Sequence, residues 1–273
     1  MKEEIYDSNN LKKIVFKEFN LELLPSINKC KEFVKSSFHL NPANNINLVC
    51  EKTYYTRHLT GHIVECGAFQ GTTLFTLAAF CHKHNIEKKI WSFDSFSGFP
   101  YGLTHPYDHP EYFNFLRKNG KITETHFQGA LKRTEQFKSC THLKSEYFLD
   151  VKGAYEKALQ FPAIRLVEGA FSETLPKFHD PISLLYIDCD LYRSYLDVLY
   201  ALYHHVQEQG GVIVFDEYFS YKYPGARVAV DEFFADKSGW FEVYDTNDTF
   251  ERWCFIKQSN KSGRVRKSHE RVR

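Results

Sequence analysis

Gly61-His-Ile-Val-Glu65-Cys-Gly67-Ala-Phe69-Gln-Gly71-Thr72 is a short apolar run closed by an acid and a glycine-rich turn. Thr72-Thr-Leu-Phe-Thr-Leu-Ala-Ala-Phe-Cys81 follows and predicts a helix whose opening threonines can cap its N-terminus. Strand, glycine turn and helix form the repeating unit of a parallel α/β sheet. Glycines at such a turn let the backbone approach a ligand, and the helix N-terminus favours an anionic group. The dinucleotide fingerprint is not met, because Phe69 stands where its second glycine belongs. That residue argues against a pyrophosphate, and so against a nicotinamide-dependent oxidoreductase.

The same reading extends along the chain. Lys89–Asp94, Ala163–Glu168, Ile182–Asp188 and Val212–Asp216 are further strand-like runs, and Leu191 to Gln209 predicts a helix stopped by Gly210-Gly211. Trp240-Phe-Glu-Val-Tyr and Trp253-Cys-Phe-Ile-Lys predict a closing antiparallel hairpin. The expected fold is α/β and Rossmann-like: a mostly parallel sheet with a C-terminal hairpin and a helical N-terminal extension over residues 1–60. Four of the acids that end these strands (Glu65, Asp94, Asp188, Asp216) are expected to aim at one place, on the rim where open α/β sheets bind ligands. Carboxylates gathered there repel one another unless a ligand or cation intervenes.

Asp94 lies 23 residues beyond Gly71, placed to accept hydrogen bonds from both hydroxyls of a ribose. A nucleoside without a diphosphate suits this turn, and S-adenosylmethionine is the common one. Asp188-Cys-Asp190-Leu-Tyr192 and Asp216-Glu217 form a second constellation. Asp188 and Asp190 face the same way if the strand end is extended. Oxygen-only ligands select Mg²⁺, Mn²⁺ or Ca²⁺ over zinc. Asp190 also precedes a helix, where an acid serves equally as a cap.

The rest of the chain bounds the answer. A formal charge of +1 over 273 residues advertises neither nucleic acid nor an anionic membrane, and no apolar stretch is long enough to span a bilayer. The seven cysteines are scattered without a C-x-x-C pair, and the acidic N-terminus does not read as a signal peptide, so a reduced, cytoplasmic protein is expected. Aromatic residues make up 16% of the chain, enough to build apolar pockets as well as a core. Between Pro100 and Ser145 the strand–helix alternation lapses, in a lid or substrate insert holding His105, Tyr107, Asp108, His109, Tyr112, Phe113 and Phe115. Pro106 and Pro110 argue against a helix carrying His105 and His109 as an i,i+4 metal pair. Residues 258–273 form a basic tail, expected to be disordered, and the helical first sixty residues offer a cap or a homodimer contact.

Six segments in order resemble the macrocin O-methyltransferase family: Gly61–Gly71, Phe93-Asp-Ser-Phe-Ser-Gly-Phe-Pro100, Glu168-Gly-Ala-Phe-Ser-Glu-Thr-Leu-Pro176, Tyr186-Ile-Asp-Cys-Asp-Leu-Tyr192, Phe215-Asp-Glu-Tyr218 and Tyr223–Phe233. The resemblance implies a class I methyltransferase fold with a seven-stranded sheet over residues 61–257. It also implies S-adenosylmethionine as donor, a divalent cation, usually Mg²⁺, and a sugar or glycoside hydroxyl as acceptor. Glu65, Gly67, Gly71 and Thr72 would line the methionine end of the donor, Asp94 and Ser95 the ribose, and Gly169, Phe171 and Ser172 the adenine. Asp188, Asp216 and Glu217 match the metal-binding acids, and Asp188 also matches the family's proposed general base; on chemical grounds a carboxylate at Asp188 or Asp190 can accept the proton. Glu217 departs from the family, which usually has a second Asp there. Two other readings use the same residues: a catechol-type methyltransferase acting on a phenol, and a non-catalytic nucleoside or glycan-binding module.

Overall fold

The computed structural model describes residues 45–69, 71–99, 105–125, 127–129, 131–132, 163–218, 223–245 and 251–258. Residues 1–44, most of the second half of the insert and the basic tail lie outside them, and with them the readings made there. Elements are numbered within the described residues. Helix α1 (Asn45–Tyr55) leads into strand β1 (His62–Cys66), helix α2 (Thr72–Lys83) and strand β2 (Ile90–Asp94). A 3₁₀ turn (Pro106–Asp108) and helix α3 (Pro110–Lys118) belong to the insert. Strand β3 (Ile164–Glu168), the short helix α4 (Phe171–Thr174), strand β4 (Ile182–Ile187), helix α5 (Tyr192–Leu202), strand β5 (Val212–Phe215), helix α6 (Pro224–Phe233) and strands β6 (Gly239–Asp245) and β7 (Glu251–Lys257) complete the order.

The seven strands form one sheet in the order β3-β2-β1-β4-β5-β7-β6. The first five are parallel; β7 runs antiparallel to both β5 and β6. The expected α/β fold with a terminal hairpin is therefore what forms. The period-two alternation along each strand splits the core between two faces. Ile63, Leu184, Tyr186 and Val214 pack with α1 and α2, and Val64, Leu185, Ile213 and Phe215 pack with α5 and α6. Both faces are covered, which is why these strands are apolar almost throughout. Helix α1 contributes Leu48, Val49 and Cys50 to the first face, so the helical extension joins the core by residue 45.

Two local expectations change, and a third holds by a different route. Helix α2 opens on Gly71 in the left-handed region (φ 77°) with no side-chain cap, so the threonines do not cap it. Helix α5 ends at Leu202, extended only by a 3₁₀ turn over Tyr203–His205, well short of Gly210. Val206 leaves the helix because it is buried and bridges to Ile182 beside β4. Each of Pro106 and Pro110 occupies the first turn of a helical segment, where a missing N–H costs nothing. His105 and His109 are the caps of those segments, each accepting through Nδ1 from the amide two residues on, at 3.4 Å. They sit on separate turns and form no i,i+4 pair.

No helix among the described residues is long and apolar enough to cross a membrane.

Candidate active site

The strand order reverses between β1 and β4, since the chain runs outward through β2 and β3 before returning beside β1. That switch point leaves a crevice beyond the carboxyl ends of two neighbouring strands. Gly67 and Asp188, the residues after β1 and β4, meet there: the Asp188 amide donates to Cys66 O at 2.9 Å. A β-carbon on Gly67 would sit 1.8 Å from the Asp188 carbonyl oxygen, and its φ of 93° is a further bar to a side chain. Gly67 is required by packing before any ligand arrives.

The glycine-rich loop is held from β2. Asp94 Oδ2 accepts the amides of Ala68 (2.8 Å) and Phe69 (3.1 Å), and Oδ1 accepts that of Phe96 (2.8 Å). Burial pushes this carboxyl up from its ordinary value even though those amides favour the anion. A ribose hydroxyl reaching Asp94 would share its oxygens with the amides that shape the loop. Phe69 adopts the left-handed backbone (φ 45°) that a glycine would supply, and its ring is exposed. Ser95 donates its hydroxyl to the Gly98 carbonyl and accepts the Ser97 amide at 3.2 Å, closing the turn after β2. Gly169 hydrogen-bonds Asp94 O at 3.0 Å, which brings the start of α4 to the same end of the sheet. Phe171 packs against the core there, while Ser172 is exposed. Thr72 is the first residue of α2.

Glu65 is fully buried and accepts the Ser92 hydroxyl at 2.6 Å from the paired position on β2. Burial pushes its carboxyl up to about 8, with the nearby Asp94 charge acting in the same direction. A buried acid of this kind favours a cationic neighbour.

The other acids gather on the β4–β5 side. Oxygens of Asp188, Asp190 and Glu217 lie within 4.8 Å of one another. The expectation that Asp188 and Asp190 align along an extended strand is corrected: β4 ends at Ile187, and Asp190 has a left-handed φ of 65° that folds the chain back before α5. The N-cap of that helix is Leu191, without a side-chain hydrogen bond. Asp216 lies beside this group, since the Tyr186 hydroxyl is 2.7 Å from Asp216 Oδ1 and 3.1 Å from Asp188 Oδ2. One phenolic proton serves two carboxylates, so it can satisfy only one of them at a time. Asn45 Nδ2 donates to Asp216 from α1. On the opposite face of the sheet, the Tyr195 hydroxyl supports Glu217 Oε2. Burial first, then the neighbouring carboxylates, push Asp188 and Glu217 well above the usual carboxylate range. A bound divalent cation reverses that logic, and an all-oxygen donor set fits Mg²⁺ or Mn²⁺.

Glu65, Asp94, Asp188 and Asp216 thus fall into two pairs, Glu65 with Asp94 and Asp188 with Asp216. Sequence reasoning passed over the residues that support them. Tyr186 had a signal, lying two residues before Asp188 on the same strand face. Asn45 had none, being 171 residues from Asp216.

The model of the macrocin O-methyltransferase (TylF) family matches residues 44–160 and 150–240. The chain belongs to that family. Among solved structures it is similar to the O-methyltransferase NovP, with a TM-score of 0.54 at 20% identity over 81% of each chain. It is also similar to the calicheamicin methyltransferase CalS11, with a TM-score of 0.49 at 19% identity over 90% of each chain. A Bacillus cereus O-methyltransferase solved with SAH aligns over 92% of this chain and 91% of its own, at 11% identity and a TM-score of 0.45. No curated protein matches the sequence. Membership of a methyltransferase family leaves no place for the non-catalytic module, and this macrocin-family chain is an O-methyltransferase.

Proposed function

We propose that this macrocin-family enzyme transfers the methyl group of S-adenosylmethionine to a hydroxyl of a sugar or glycoside, assisted by a divalent cation. The observation that carries the reading is the cluster of Asp188, Asp190 and Glu217 with Asp216 beside it, at the switch point next to the Asp94-held loop. The family resemblance supplies the acceptor class.

In this reading Glu65, Gly67, Gly71 and Thr72 take the methionine end of the donor, Asp94 and Ser95 its ribose, and Gly169, Phe171 and Ser172 its adenine. Asp188, Asp216 and Glu217 hold the cation. When bound, the cation stabilises a developing alkoxide, and the donor supplies an electrophilic methyl on a sulfonium. The chain's own residues do the rest. A sugar hydroxyl has a pKa far above neutrality, so its proton needs an acceptor as the oxygen attacks. Asp190 fits that part: it is half-exposed, on the turn that opens toward α5. Asp188, whose proton affinity burial raises, can share that role, and its contact with Tyr186 orients the cluster. Glu65 and Asp94 give the donor's positive end an acidic floor, and the walls around Gly67 keep donor and acceptor in attacking geometry.

The test is incubation with S-adenosylmethionine and a panel of glycosides and phenols, with and without EDTA, followed by mass spectrometry. Methylated glycosides whose formation EDTA abolishes support the reading. Methylation of phenols alone, or EDTA-insensitive turnover, overturns it.

A further inference from the structure

The part of the insert nearest the acid cluster is fastened to the core by one carboxylate. Asp108, at the end of the 3₁₀ turn, is only 3% exposed, and its two oxygens accept the Tyr192 amide at 3.1 and 3.3 Å. That amide opens α5, two residues past Asp190, so an insert residue supplies the cap that Leu191 does not. Helix α6 leaves room for it: a β-carbon on Gly225 would lie 1.9 Å from Asp108 Oδ1. The glycine is a slot cut to the shape of this carboxylate.

The latch aligns aromatic rings. His105 stacks on Tyr192, with centroids 3.8 Å apart and planes 14° apart. Beyond Tyr192 the strip continues to Tyr107 (5.4 Å), from Tyr107 to Tyr112 (5.0 Å) and from Tyr112 to Phe115 (6.0 Å). Tyr107, Tyr112 and Tyr192 are half-buried, and Phe115 is exposed. The strip starts two residues from Asp190 and is several rings long, whereas one pyranose covers a single step. A sugar hydroxyl at the acids leaves the remainder of its molecule over this surface. Aromatic rings favour a flat apolar partner there.

We infer that Asp108 is a positioning residue that latches this aromatic strip to the rim of the acid cluster, and that the strip binds the aromatic aglycone of a glycoside acceptor. The inference rests on the glycoside reading above for the reaction at its inner end.

The experiment measures binding to the full-length protein with S-adenosylhomocysteine and Mg²⁺. Its probes are matched p-nitrophenyl and methyl glycosides of glucose, galactose, rhamnose and xylose. In the native protein the aryl glycosides bind roughly five- to tenfold more tightly than their methyl partners. Tyr112→Ala and Asp108→Ala close that gap while S-adenosylhomocysteine affinity holds. Asp108→Asn, whose amide oxygen still accepts from Tyr192, retains most of it, which a general loss of stability would not reproduce. Should Asp108→Ala fail to fold, Tyr112→Ala decides alone. Equal binding of the two probe types, no aryl glycoside binding, or a gap that survives Tyr112→Ala overturns the inference. An intact gap without methylation of any glycoside keeps the strip and removes the catalytic reading instead.

Discussion

Tyr195 donates its hydroxyl to Glu217 Oε2 at 2.6 Å, with both side chains sealed from solvent. The bond crosses from α5 to the residues after β5 and is a support of Glu217 on that face of the sheet. Outer supports of this kind are worth about 10–100-fold in metal affinity. Tyr195→Phe is therefore expected to weaken Mn²⁺ binding by about that factor. It also removes one buried hydrogen bond, a loss of about 1 kcal/mol. Mn²⁺ titration by electron paramagnetic resonance and a thermal melt measure the two effects. Unchanged Mn²⁺ affinity would place Glu217 outside the ligand set.

Asp190 and Asp216 separate by the same measurement. Asp190→Asn is expected to lower kcat by about 10²–10⁴, the usual worth of a positioned proton acceptor, with Mn²⁺ affinity nearly intact. Asp216→Asn, which acts beside the Tyr186 hydroxyl, is expected to lose Mn²⁺ affinity first. The reverse pattern would exchange the two roles and make Asp188, Asp190 and Glu217 the ligand trio.

Much of this arrangement was legible locally. The apolar run to Glu65, its glycine turn and the acid at Asp94 marked a parallel strand, a ligand loop and its anchor within about thirty residues. Two features that the local sequence did not show share a cause, which is a partner distant in sequence. Helix α5 stops at Leu202 because Val206 pairs beside β4, and no signal in that stretch foretold it. Asp108 caps a helix 84 residues away, so its own neighbours could not show it. Pro106 and Pro110 do keep His105 and His109 from sharing one helix, as the sequence suggested, and they do so as first-turn residues of two separate segments.

Glu65 yields two effects of opposite sign. An acid whose proton affinity is raised by folding favours the folded state while protonated. That contribution is lost as pH climbs from the ordinary value of 4.5 to about 8, and above that it changes no further. Glu65→Gln replaces the buried acid by a neutral group of the same shape. The donor-free variant should melt higher than the native protein at pH 8 and about equally at pH 4.5. Under the proposed function, the same change should weaken S-adenosylmethionine binding by removing an acid assigned to its positive end. Calorimetry at the two pH values and a donor titration measure both. A lower melting temperature at pH 8 would show that the Ser92 bond outweighs the burial of charge.

Gly67 is the position where fold and site are hardest to separate, and stability data can separate them. An alanine there places its β-carbon 1.8 Å from the Asp188 carbonyl oxygen at a φ of 93°. Neither the β4 backbone nor the loop can yield without disturbing the Asp188 amide bond to Cys66. Gly67→Ala is expected to cost more than about 3 kcal/mol, among the largest single-residue losses, because strain and a backbone clash add. Gly71→Ala also adds a side chain at positive φ, but at a helix entrance, where the left-handed backbone alone costs about 1–2 kcal/mol. Urea unfolding of the two variants should therefore show a midpoint loss for Gly67→Ala well beyond that for Gly71→Ala. Equal losses would mean that the loop can slide away from β4, and that Gly67 serves the ligand rather than the packing.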